Sequence, residues 1–157
     1  MNIGLLQTND LLMLSARALM AAPMIRYGLL KLLNISIFVE NFATRRFMEF
    51  FAHGIEAPLW FAYSNAIFQT CAGIFVLIGF KGRTAAILLV GWLVTLTYFA
   101  HPFWSMSGGE RIFNESYFYR NLAMIAAFLM MFLFGPGTLS VDELMRLKKD
   151  PRAKSQI

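Results

Sequence analysis

Cysteine is almost absent: Cys71 is the single one in 157 residues. One thiol cannot close an internal disulfide, and no Cys-x-x-Cys or Cys/His cluster is there to hold a metal. Charge is scarce as well, at 15% of residues against about 25% in an ordinary soluble domain. Hydrophobic residues make up 58% of the chain, and its mean hydropathy is +0.57. A soluble chain of this length could not hide so much apolar surface, so lipid is the expected solvent. The opening MNIGLLQTND holds no basic residue, and Arg17 breaks the apolar stretch before the cleavage-like MAAP. A cleavable signal needs a positive start and an unbroken core, so the first helix is read as retained. Nucleic-acid motifs are missing too. The net charge of +5 is densest after the last apolar segment, where membrane proteins keep cytoplasmic anchors, and nucleic acid is excluded as a partner.

What is present is four apolar segments of spanning length, about 17–25 residues each. They are Leu11–Leu33, Trp60–Phe80, Thr84–His101 and Tyr117–Phe134. Asn9 or Asp10 would cap the first, Pro102 ends the third, and Gly135-Pro136-Gly137 ends the fourth. Between the first two, Ala43, Phe47, Phe50, Phe51 and Gly54 recur on one helical face, with Arg45 and Glu49 spaced to pair. This reads as an amphipathic helix in the membrane interface, or as a linker packed on the spans. Ser140 opens SVDE, a capping box that starts a short basic helix available to anionic lipid. The expected fold is an all-α integral membrane four-helix bundle, one domain over 1–157, with that interfacial helix and a basic tail over 138–157. Lys81, Arg83, Arg146, Lys148, Lys149, Arg152 and Lys154 then share one side. Both termini are therefore placed in the cytoplasm of a bacterial inner membrane. Trp60, Trp104, Tyr117 and Tyr119 fall near the outer ends, as an aromatic belt would.

Ionisable groups inside a span each need a reason, because a charge at a helix centre costs about 2.5–3.5 kcal/mol on insertion scales. Arg17, Ala21, Met24, Gly28 and Lys31 form one stripe at helical spacing, either facing the other spans or snorkelling at its two ends. Asn65, Gln69, Ala72 and Gly73 share a face of the second span, suited to close helix approach or to lining a polar site. His101, Asn121, Lys31 and His53 all fall on the outer side, where they could meet in one pocket. His101 there would exchange a proton or hydrogen-bond a quinone carbonyl; otherwise it is an interfacial side chain. A haem held by His53 and His101 has no support in their spacing. Cys71 reads as ordinary core.

Several stretches resemble the DoxX family. SARALMAAPMIRYGLLKL is similar to its first helix, with Arg17, Tyr27, Gly28, Lys31 and Leu32 in pattern. FMEFFAHGIEAP is similar to its first loop, and QTCAGIFVLIGFKGRTAAILL, with Gly73, Gly79 and Arg83, to its second helix and turn. FGPGTLSVDEL resembles its closing signature through Gly135, Pro136, Gly137, Leu139, Ser140 and Asp142. The resemblance covers nearly the whole chain. It implies a small inner-membrane subunit of a quinone-linked redox system of thiosulfate or thiol type, with a soluble or membrane redox partner. Gln69 stands where that family commonly has Glu, and Gln cannot exchange a proton. The pocket residues on this reading are Arg17, Lys31, Gln69 and Asn121 for substrate or quinone, with His101 catalytic and no metal. Electrons would come from a partner or a bound cofactor, since the chain has no redox motif of its own. Two further readings are a non-enzymatic scaffold that recruits a soluble oxidoreductase, and a small-molecule or lipid-binding bundle. Homo-oligomerisation stays open.

Overall fold

The computed structural model describes residues 3–53 and 55–149, and the side chains of residues 3–7, 42 and 43 are not described. Arg152, Lys154 and Gly54, named above, lie outside the described residues. Among those residues all regular secondary structure is helical. Helix α1 covers Ile3–Leu33, α2 Ile35–Glu40, α3 Phe42–Ala52 and α4 Leu59–Ile78. Then come α5 over Gly82–Ala100, a 3-10 turn over Phe103–Ser105, α6 over Gly108–Phe134 and α7 over Val141–Lys149.

Three stretches are long and apolar enough to cross a membrane: Leu59–Ile78, Gly82–Ser105 and Gly108–Phe134. Four membrane-crossing helices were expected, and three are found by length and composition. Helix α1 does not join the set, because Asp10, Arg17, Arg26 and Lys31 are spread along it. It nevertheless packs closely on α4, while α5 packs on α4 and on α6. Its meeting with α6 is slight, so the four long helices do not close into a ring.

The α1–α4 contact rests on missing side chains. A Cβ on Gly28 would collide with the Thr70 hydroxyl and lie 3.0 Å from the Thr70 backbone nitrogen. One on Gly73 would sit 2.9 Å from Met24 Cβ. Small residues let helix backbones approach, which is how helices associate where water supplies no hydrophobic drive. The stripe Arg17–Ala21–Met24–Gly28 is buried in this seam. Val76, Ala86, Leu89, Leu93 and Phe128 complete the core. Helix α6 buries just Phe128 and Met131, and Leu133 and Phe134 point outward, as a lipid-facing helix requires.

Local details depart from expectation. Asn9 and Asp10 lie inside α1, which starts a full two turns earlier, and Asp10 instead accepts from the Thr138 hydroxyl. Helix α6 begins at Gly108, so Tyr117 and Tyr119 sit well inside it. Arg45 and Glu49 make no ion pair among the described residues. Cys71 is exposed on the outer face of α4 and is not core. Helix α3 is capped by the Asn41 side chain, which accepts from Thr44 N at 2.9 Å. Half of the SVDE capping box forms: Ser140 Oγ accepts from Glu143 N at 3.2 Å. Glu143 turns to Arg146 instead, and that bond holds its carboxyl below the usual carboxylate range.

Candidate functional site

Lys31 lies in the last turn of α1 and reaches across to α4. Its ammonium donates to Gln69 Oε1 at 2.8 Å and lies 3.5 Å from Asn65 Oδ1. It also stands 4.6 Å from the centre of the Phe38 ring and 4.9 Å from that of Trp92. A cation over aromatic faces is attracted by their quadrupoles, by about 0.5–2 kcal/mol depending on desolvation. The spacing of α1 and α4 brings these groups together, because Gly28 lets α1 settle against Thr70, one residue beyond Gln69.

This ammonium opens on a cavity of about 850 Å³ between α1, α4, α5 and α6. Gln69, Trp92, His101, Arg120 and Asn121 share its lining with Lys31. His101 is the residue after α5, and its Nδ1 lies 3.0 Å from Asn114 Oδ1. Its ring stacks on Tyr117 with centroids 5.2 Å apart, and the Arg120 guanidinium lies 4.1 Å from the centre of that same Tyr117 ring. Among the described residues, no Asp or Glu lines the cavity.

Of the sequence-derived candidates, Lys31, Gln69, His101 and Asn121 therefore share one cavity. Arg17 does not. It is fourteen residues earlier, about 21 Å down the helix at 1.5 Å per residue. There its guanidinium is buried beneath Gly79 and Ser140, and Nη2 donates to the Leu139 carbonyl. Its Nε and Nη1 have no partner among the described residues. His53 ends α3 in a left-handed conformation, is exposed and does not line the cavity, which leaves His101 without a second axial histidine there. The sequence reading missed Phe38, Trp92, Asn114 and Arg120. Trp92 carried a signal, since a Trp in mid-span departs from the interfacial belt. Asn114 had none, lying before the expected start of its span.

The SURF4 family model matches residues 42–149, more than half of the chain. The chain belongs to the SURF4 family. Inner membrane protein YphA of Escherichia coli (strain K12) is 26% identical over 131 residues, covering 83% of this chain and 88% of that protein. Inner membrane protein YqjF of the same organism is 30% identical over 76 residues, 48% of this chain and 55% of that protein. Surfeit locus protein 4 homolog of Drosophila melanogaster is 31% identical over 72 residues, 45% of this chain and 27% of that protein. This SURF4-family chain thus spans about a quarter of the fly protein and most of YphA. No solved structure matches it.

These matches overturn the DoxX resemblance, and with it the quinone-linked thiosulfate or thiol redox function and the weight placed on Gln69 in place of Glu. Beside the Arg17–Lys31 pattern of the first helix, the motifs that suggested DoxX include helix-ending glycines, a Gly-Pro-Gly stop and an N-cap serine. Such signals follow from how any helix ends and begins, so they do not discriminate between small helical membrane families. What stands is a SURF4-family membrane protein with three candidate spans and inner-membrane relatives.

Proposed function

We propose that this protein binds a small organic anion in the Lys31 cavity, within the inner membrane. The observation that carries the proposal is the Lys31 ammonium itself: it opens on a cavity whose lining, among the described residues, holds no carboxylate. A half-buried cation without a counter-charge bears part of its desolvation cost uncompensated, and a bound anion offsets it. Lys31 gives one strong hydrogen bond, to Gln69, and has donors to spare. The Gln69 side-chain nitrogen has no partner among the described residues, and its oxygen is fixed on Lys31, so that amide adds a second donor. His101 and Asn121 supply polar atoms on the far wall, with Arg120 as a second cation. The volume suits a small ligand, for which cavities run about 300–1,000 Å³.

In this reading α1 is a fourth crossing, with its charges turned into the α1–α4 seam or to the membrane surfaces. Both ends of the chain then lie on the side of Lys81, Arg83, Arg146, Lys148 and Lys149, and the excess of basic residues makes that side cytoplasmic. The cavity faces the opposite side. Benzoate tests the binding. In lipid nanodiscs it should raise the unfolding temperature of the protein in a saturable way, because a ligand of the folded state stabilises by mass action. Benzylamine, a cation of similar shape, should not. Equal shifts in wild type and Lys31→Met, or no shift at all, would refute the reading.

A further inference from the structure

A second cavity adjoins the first. It holds about 260 Å³ between α3, α4 and α5, and Phe47, Phe61, Phe99, Gly91 and Thr95 line it. Phe38, Trp92 and Leu96 line both cavities, so the two share a wall. The Lys31 ammonium stands on that wall, over the Phe38 and Trp92 rings. Asn65, 3.5 Å from the ammonium, faces the second cavity.

Resting on the anion-binding reading above, we infer that the ligand is a single-chain amphiphile. Its anionic head meets Lys31 and Gln69, and its hydrocarbon chain lies in the aromatic annex. The annex is built for apolar contents. Phe47 packs edge-on to Phe99 at 5.3 Å and stacks on Phe61 at 5.4 Å, so its walls are interlocked rings. The Thr95 hydroxyl is turned back on the Gly91 carbonyl at 3.0 Å and is satisfied there. At Gly91 an added Cβ would meet nothing within 4 Å, so this glycine leaves open space that no backbone turn requires. At 260 Å³ the annex is smaller than the usual site for a drug-sized molecule, about 300–1,000 Å³, which suits one chain and not the paired chains of a bilayer phospholipid. The head chemistry, carboxylate or phosphate, is common to fatty acids and single-chain phosphate esters.

The test uses the full chain in nanodiscs, with Trp60→Phe and Trp104→Phe leaving Trp92 as the reporter. Brominated dodecanoate should quench Trp92 saturably, and dodecyltrimethylammonium should not displace it. Displacement by dodecanoate but not by dodecyl phosphate assigns a carboxylate head, and the reverse a phosphate. Gly91→Phe fills the annex at an open position, and should weaken dodecanoate at least ten-fold more than it weakens benzoate. Thr95→Phe, one turn on, should do the same, and circular dichroism confirms that each variant is folded. If folded Gly91→Phe and Thr95→Phe keep the wild-type ratio of dodecanoate to benzoate affinity, the chain does not enter the annex, and the amphiphile proposal falls while anion binding stands. If neither benzoate nor dodecanoate binds, both fall. Quenching that survives Lys31→Met puts the bromine elsewhere and overturns the assignment of the head.

Discussion

Lys31 and Arg17 sit on one stripe of one helix and meet opposite surroundings. Lys31 finds an amide, two aromatic faces and a cavity; Arg17 finds a carbonyl and packing. The residue that makes the first arrangement possible is Gly28. A methyl group there would press on Thr70, whose hydroxyl is already committed to the Ala66 carbonyl at 2.8 Å and whose backbone cannot retreat. Gly28→Ala should therefore destabilise the protein by about 1–3 kcal/mol, the usual cost of overpacking, even though alanine is the better helix former. Reversible unfolding in detergent measures this, and an unchanged or raised stability would contradict the close approach. It should also lift Lys31 away from Gln69 and weaken benzoate in parallel. The stripe itself was legible, because residues at helical spacing that are polar or small in an apolar segment have few other uses. Phe38 and Trp92 were not, because each comes from a different helix and no local spacing links them to Lys31.

At the scale of elements, α4 and α5 fall within two residues of the segments read from hydropathy, while α1 and α6 extend well beyond theirs. Hydropathy marks where a helix can touch lipid, whereas a helix continues as long as its backbone bonds do. Gly108–Ser116 is polar and helical all the same. The short α7 shows a second limit. Its capping serine was readable, but its anchor was not. Both Asp142 carboxylate oxygens accept from the α5 entry, from Lys81 N at 2.7 Å and Gly82 N at 2.8 Å. Asp142 N in turn donates to the Gly79 carbonyl at 3.0 Å. A carboxylate at a helix N-terminus is favoured by the free amides and the dipole there, and a partner sixty residues away leaves no trace in local sequence. Hydrogen bonds to a charged group contribute about 1.5–3 kcal/mol each, so Asp142→Ala should release α7 from the α4–α5 turn. Trypsin should then cut faster at Arg146, Lys148 and Lys149, whereas Asn, which keeps one acceptor, should be intermediate. Equal cleavage rates in all three proteins would mean that α7 is held by something else.

For the whole molecule, the decisive quantity is how many helices cross the bilayer. Three qualify on length and hydropathy, yet α1 lies alongside them over the same depth, with Asp10 beside Thr138 at one end and Lys31 beside Gln69 at the other. A helix of 31 residues is about 46 Å long at 1.5 Å per residue, more than the hydrocarbon thickness of about 30 Å. Its buried stripe turns Arg17 away from lipid, as an intramembrane charge requires. Labelling can count the crossings. In a Cys71→Ser background, Asn9→Cys and Ser36→Cys place exposed thiols near the two ends of α1. With four crossings, a membrane-impermeant maleimide added to intact spheroplasts should modify Ser36→Cys and spare Asn9→Cys until the membrane is opened. Ser105→Cys should behave like the first and Lys148→Cys like the second. Asn9→Cys and Ser36→Cys both labelling from outside, or both protected until lysis, would put the ends of α1 on one side. The helix would then not cross, and the cavity around Lys31 would have to form at a membrane surface, where water would screen the ammonium and weaken its hold on an anion.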